Sequence, residues 1–246
     1  MKVNLSYMSF RYLTQLLSIY SEKSRSDDSA FKTKWQTDER LQIFGYQSPY
    51  KQLRLSVIRV DDTHLDDINS DSRGFVTVVP TKRGLATATD RSDLTIVTEP
   101  AYDHVEIRTG NLSYHINKSS TQPEMSLVEN FLPMERVKLR GSVDSSMLQK
   151  YVNLAPAGPL KLEITNETVR FISSKSDRAV LDITDTTTVS LNNVDTQYKY
   201  GLRLISKAVK KFPSNKEIEL YVNEDLIRFR CTLSDSIELN YYQRGR

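Results

Sequence analysis

The stretch Lys199-Tyr200-Gly201-Leu202-Arg203-Leu204-Ile205-Ser206-Lys207-Ala208-Val209-Lys210-Lys211 decides how the rest of the chain is read. Wound as a helix continuing to Phe212, it puts Lys199, Arg203, Lys207 and Lys211 on one face at every fourth position, with Lys210 beside them. Leu202, Ile205, Val209 and Phe212 fall on the opposite face, the spacing of an amphipathic helix docked on a core. No acidic residue interrupts the basic face, and like charges at this spacing repel. Two readings follow: a lysine-rich face turned to water, or a field held against a polyanion.

Composition narrows the classes. The 246 residues suffice for one large domain or two ordinary ones. A formal net charge of +3 is too small to imply nucleic acid by itself, so only its distribution is informative. No run of 18 apolar residues exists, and the N-terminus lacks the apolar core of a signal peptide. The single cysteine, Cys231, cannot form an internal disulfide and sits in an alternating run as a small core residue. The expectation is an intracellular protein. The sequons at Asn111 and Asn166 then carry no meaning.

The two halves repeat a pattern. The first opens with a helical stretch, 9–23, whose apolar stripe is Phe10, Leu13, Leu17 and Tyr20, with Ser9 as N-cap. The second opens with a helix over 142–154, its buried candidates Val143, Met147, Leu148, Tyr151 and Leu154. Short alternating runs follow each helix: 31–35, 40–45 and 51–60, then 160–165, 168–173 and 179–184, with a hairpin turn at Asn166-Glu167. Each half closes on a basic helix (81–89, then 199–212) and three strands: 94–98, 104–108 and 112–117, then 217–222, 226–232 and 237–242. The polar segment from Ser119 to Glu124, continuing to about Glu135, reads as a linker. The expected organisation is α+β: two similar domains, 1–118 and 136–246, with a connector at 119–135.

A chain of this length with two helices and a long antiparallel sheet per domain resembles the sliding clamps of the proliferating cell nuclear antigen (PCNA) type, found in eukaryotes, archaea and some viruses. The likeness is best over 136–242. Val137-Lys138-Leu139-Arg140-Gly141 before a helix resembles the entry to the second clamp domain, Tyr198 to Ala208 resembles the family's last helix, and Ile237-Glu238-Leu239-Asn240-Tyr241-Tyr242 its closing strand. In the first half, Leu94 to Ile116 fits, with Gly110-Asn111-Leu112-Ser113-Tyr114 nearest to the strand at the subunit edge.

The resemblance implies a ring, usually homotrimeric, with sheets outside and helices lining a hole for duplex DNA. It implies a processivity factor that tethers a DNA polymerase, is served by a clamp loader, does no chemistry and needs no cofactor. DNA-facing residues on this reading are Arg203, Lys207, Lys210, Lys211, Lys82, Arg83, Arg91, Lys150, Arg11 and Lys23. Subunits would join through Leu112, Tyr114 and Ile116 of one copy and Ala179, Leu181 and Ile183 (within 177–186) of the next. Met125, Leu127, Val128, Phe131 and Leu132 would line the pocket for a partner's clamp-binding peptide. The ending Gln243-Arg244-Gly245-Arg246 departs from the family's apolar, proline-containing tail, which puts that docking mode in question. The expected location is wherever DNA replicates, nucleoid or nucleus.

Other functions leave weaker marks. His64, His104 and His115 lack metal-ligand spacing, and there is no glycine-rich phosphate loop, Gly-x-Ser-x-Gly or cysteine–histidine signature. Asp61-Asp62-Thr63-His64-Leu65-Asp66-Asp67 lacks the pattern of a calcium loop and reads as a solvated acidic loop. The remaining alternatives share the fold: a monomeric, clamp-like viral processivity or transcription accessory factor, or one subunit of a heterotrimeric clamp.

Overall fold

The computed structural model describes residues 2–8, 11–12, 32–37, 41–47, 54–60, 64–66, 74–78, 94–97, 99, 101–118, 137–175, 177–189, 196–223, 226–235 and 237–245. The strands of the first half are β1 (Lys2–Leu5), β2 (Lys32–Thr37), β3 (Leu41–Gln47), β4 (Arg54–Val60), β5 (His64–Asp66), β6 (Gly74–Val78), β7 (Leu94–Val97), β8 (His104–Thr109) and β9 (Leu112–Asn117). The second half runs β10 (Leu139–Asp144), helix α1 (Ser145–Leu154), β11 (Pro159–Ile164), β12 (Val169–Ser174), β13 (Arg178–Asp182), β14 (Thr187–Val189) and β15 (Thr196–Gly201). Helix α2 (Leu202–Val209), β16 (Glu217–Asn223), β17 (Leu226–Ser234) and β18 (Ile237–Arg244) complete it.

The strand orders expose a duplication. In the first half β5-β1-β7-β8-β9 lie side by side, and so do β4-β3-β2-β6. In the second half the orders are β14-β10-β16-β17-β18 and β13-β12-β11-β15. Adding nine to each first-half strand number gives the second-half order, so one topology is used twice. The registered pairs are antiparallel throughout, as expected of the α+β class with antiparallel sheets. The chain divides into two compact units, residues 1–49, 55–125 and 234–239, and residues 50–54, 126–233 and 240–246.

Alternation explains the strands. In β16 and β17 every second residue is buried, Ile218, Leu220 and Val222 against Ile227, Phe229, Cys231 and Leu233. Cys231 is fully buried, and that burial pushes its thiol up to about 11, the inert core residue expected of it. The Thr109-Gly110-Asn111 turn joins β8 to β9, and Gly110 takes φ +53°, where a side chain is disfavoured. Gly141 has a different reason. A Cβ there would lie 2.3 Å from Thr187 Cγ2 and 2.9 Å from the Thr186 carbonyl, because β14 crosses close to β10.

Several sequence expectations are corrected. The helix expected from Lys199 begins only at Leu202, because Tyr198 and Tyr200 turn into the core of β15, whose Leu162 and Leu160 partners on β11 complete a strand pair. Lys199 therefore stands on a strand, opposite Lys161. The helix expected from Ser142 begins at Ser145, capped by Asp144, whose carboxylate accepts from the Met147 N–H at 3.0 Å. Leu148, Tyr151 and Val152 are its buried apolar residues, while Met147 and Leu154 are 52% and 79% exposed. Tyr7 and Met8 are already helical, ahead of the expected cap at Ser9. Inside the acidic stretch, His64–Asp66 is a strand paired with β1 rather than a loop. The helix expected over 81–89 lies outside the described residues. Among those described, no helix is long and apolar enough to cross a membrane, and no cluster of three or more His, Cys, Asp or Glu side chains could hold a metal.

Neighbouring residues of α1 give a stability test. Leu148→Ala should cost about 2–5 kcal/mol in urea unfolding, whereas Met147→Ala should stay within about 0.5 kcal/mol of the parent. Equal losses would contradict the orientation of this helix.

Candidate nucleic-acid interface and open sheet edges

Helix α2 buries Leu202, Ile205, Ala208 and Val209 and packs against α1 and β15. That leaves Arg203 and Lys207, one turn apart, on its outward side; Arg203 is exposed and Lys207 half-buried. Past Val209 the chain tightens: Lys211 N–H donates to Ala208 O at 2.9 Å and Phe212 N–H to Val209 O at 3.2 Å. This last turn presents Lys210, exposed, and Lys211, half-buried, while Phe212 plugs the core at 2% exposure.

Two side chains of α1 hold that turn. Gln149 Nε2 donates to Phe212 O at 2.8 Å and to Val209 O at 3.3 Å, satisfying carbonyls a helix end leaves open, and its Oε1 accepts from Ser214 Oγ at 3.2 Å. Ser145, fully buried, donates to Pro213 O at 2.7 Å and accepts from Lys216 N–H at 3.1 Å. Neither residue stands out in the sequence. The only hint is a glutamine and a serine on the otherwise apolar flank of an amphipathic helix. Lys150, next to Gln149, is exposed.

The electrostatics separate these cations. Lys207 and Lys210 lie at the C-terminal end of α2, where the helix dipole favours positive charge. Arg203 lies in the first turn, where the dipole disfavours it, so helix stability does not explain its presence. Arg203, Lys150, Lys210 and Lys211 make no ion pair with any described carboxylate. Arg11, in the first half, is exposed on helical backbone. Lys23, Lys82, Arg83 and Arg91 lie outside the described residues, as do Met125, Leu127, Val128, Phe131 and Leu132.

The sheet edges show which backbone groups point outward. Lys118 N–H donates to Asp103 O, which fixes the bonding phase of β8 and β9. Bonded pairs alternate, so Leu112, Tyr114 and Ile116 turn their backbone groups toward β8, and Ser113, His115 and Asn117 turn theirs away. On the other edge, Ile183 N–H donates to Val169 O at 2.9 Å. By the same alternation Ala179 and Leu181 face β12, and Arg178, Val180 and Asp182 face outward. The six residues expected at a subunit contact thus turn their backbone groups inward, toward their own sheets. Leu112 is 55% exposed there, and Ile183 lies past the end of β13, leading into a 3-10 turn at Thr184–Thr186.

Asp182 stiffens the end of β13. Its Oδ1 accepts from Thr184 N–H at 3.0 Å and Thr184 Oγ1 at 2.5 Å, and its Oδ2 accepts from Arg170 Nε at 2.8 Å. The Thr184 hydroxyl, then the Arg170 guanidinium, lower its carboxyl from the ordinary 3.8 to about 2. A depressed carboxylate stabilises the fold above its unfolded value, and that contribution disappears as pH falls toward 2. Unfolding midpoints measured across this acid range should drop less steeply for Asp182→Asn than for the parent. Parallel curves would show that these bonds contribute nothing.

No family model matches the chain, and no curated protein matches its sequence. Its fold does match solved structures along its whole length. A structure of A. fulgidus PCNA bound to the C-terminal region of FEN-1 superposes with a TM-score of 0.72 at 10% identity, covering 100% of this chain and 98% of that one. A PCNA2–PCNA3 complex from Sulfolobus tokodaii gives 0.71 at 11% identity, covering 100% and 99%. DNA polymerase III subunit beta from Borrelia burgdorferi gives 0.73 at 12% identity, and this chain spans 62% of its length. The chain has the fold of the DNA sliding clamps.

Proposed function

We propose that the chain is a sliding clamp: it encircles duplex DNA without reading sequence and tethers a DNA polymerase and other replication proteins, catalysing nothing itself. One observation carries this reading. In a clamp fold, helix α2 and its closing turn gather Arg203, Lys207, Lys210 and Lys211, and three of the four make no ion pair with a described carboxylate. Such a surface attracts phosphates at any sequence, and the attraction weakens with salt, which suits a protein that slides. On this reading Lys150 and Arg11, and beyond the described residues Lys82, Arg83, Arg91 and Lys23, also contact DNA. The domains are 1–118 and 136–246, joined by a connector at 119–135.

Assembly follows from the edges. We assign the subunit contact to β9 of one copy and β13 of the next, with Ser113, His115 and Asn117 supplying backbone groups to Arg178, Val180 and Asp182. This contact is heterologous and closes into a ring when the rotation permits. Partner peptides would dock against 125–132. Tethering raises the effective concentration of a polymerase at the primer end without any new catalytic contact.

Light scattering across concentration and salt should give a species near three times the 28.3 kDa chain mass. A strict monomer at every concentration would overturn the self-assembling ring in favour of a monomeric factor or a heteromeric subunit. Charge reversal of Lys207 and Lys210 together should weaken retention on circular duplex. It should also flatten the salt dependence by about 0.9 in log–log slope for each phosphate no longer neutralised. An unchanged slope would remove these residues from the interface.

A further inference from the structure

The strands β14, β10, β16 and β17 share one row, on the face turned from the core, that holds no carboxylate. Register places Thr188 beside Arg140, Arg140 beside Tyr221, and Tyr221 beside Arg228. The Arg140 guanidinium lies 5.6 Å from the centre of the Tyr221 ring. That of Arg228 lies 5.2 Å from the same ring and 5.4 Å from the Tyr242 ring. Arg228 is pinned further: its Nε and Nη2 donate to Asn240 Oδ1 at 2.9 and 2.6 Å. Two like charges thus converge on one aromatic ring, each held by a cation–π contact.

The carboxylate of the next row does not neutralise Arg140. Glu219 pairs with Arg230 at 3.5 Å and accepts a hydrogen bond from the Tyr221 hydroxyl. Arg140 is exposed and makes no ion pair with a described carboxylate. Lys138 stands two residues before it on the same face.

We propose that this row docks a carboxylate-rich, extended segment of a partner protein, with Arg140 as its principal anchor. A guanidinium already stacked on a ring loses little freedom when it forks onto a carboxylate, and that paired geometry is the strong form of the contact. Charge complementarity therefore selects an acidic peptide. Single-stranded nucleic acid also seeks cations and aromatic rings, but it needs open ring faces for its bases. Here the Tyr221 ring is covered by Arg140 and Arg228. The site stands independently of the duplex-binding reading and engages none of the helix residues assigned to it.

The test is fluorescence polarisation of a labelled poly-glutamate peptide and of a poly-dT oligonucleotide of equal length, each titrated with the full chain. The parent should bind the peptide, less tightly as salt rises. Arg140→Ala should weaken it about tenfold, the worth of one strong charge-assisted pair, and Arg140→Lys should restore only part, because an ammonium cannot form the fork. Tyr221→Leu, which alters no charge, should also weaken binding by freeing the guanidinium. Thermal melts establish that each variant is folded, and duplex retention should be unchanged in all three. No peptide binding by the parent would overturn the proposal, as would indifference to both Arg140→Ala and Tyr221→Leu. Tighter binding of poly-dT that vanishes with Arg140→Ala would assign the row to nucleic acid instead.

Discussion

A helix of eight residues has one face to bury, and this constraint orders the rest of the second unit. Once Leu202, Ile205, Ala208 and Val209 are committed to the core, Arg203 and Lys207 must face outward. The tight turn that follows is equally committed, because Phe212 has to return to the core three residues past the helix end. Lys210 and Lys211 are displayed by that return. Burial thus sets where the cations go, but not that they should be cations. Glutamine or serine would satisfy every packing demand at Arg203, so packing does not explain the choice of charge, and the proposed duplex contact would.

A net charge of +3 would ordinarily say little about nucleic acid. The arrangement says more. Among the described acids of the second unit, Asp144, Glu217 and Glu219 lie on sheet positions facing away from the core, where register sets Asp144 beside Glu217 and Glu219 beside Arg230. The segment from Leu202 to Phe212 contains no acid at all. Separating the signs lets a nearly neutral chain present a basic helix without the self-repulsion that a uniformly basic one would carry.

Long alternating strands were legible because their period of two survives in residue type: Ile218, Leu220 and Val222, or Val105 and Ile107, announce one buried face. The repeat was legible for the same reason, as pattern rather than identity. What stayed hidden was decided by tertiary contact. Lys199-Tyr200-Gly201 fits a helix by spacing, yet pairing with β11 draws it into a strand, and no local signal marks that partner about 40 residues away. Met147 and Leu154 look buried by type, but the helix turns its Leu148, Tyr151 and Val152 face inward instead. Three-residue strands such as β5 and β14 are too short to show any period. The roles of Gln149 and Ser145 depend on carbonyls 60 or more residues distant, which composition cannot reveal.

The edges add a last argument about assembly. Exposed edge strands invite unwanted pairing, and proteins commonly blunt them with lysine, proline, bulges or extreme shortness. β9 has six residues and β13 five, and neither contains lysine or proline. The outward backbone positions of β9 carry Ser113, His115 and Asn117, none of them a lysine, an arginine or an acid. Those of β13 carry Arg178 and Asp182 with Val180 between them, and Asp182 is drawn back by Arg170 and Thr184. Val180 is left 46% exposed in the middle of an open edge. Such edges would be a hazard in a protein that lived alone. The proposed pairing of β9 with β13 of the next copy would cover both.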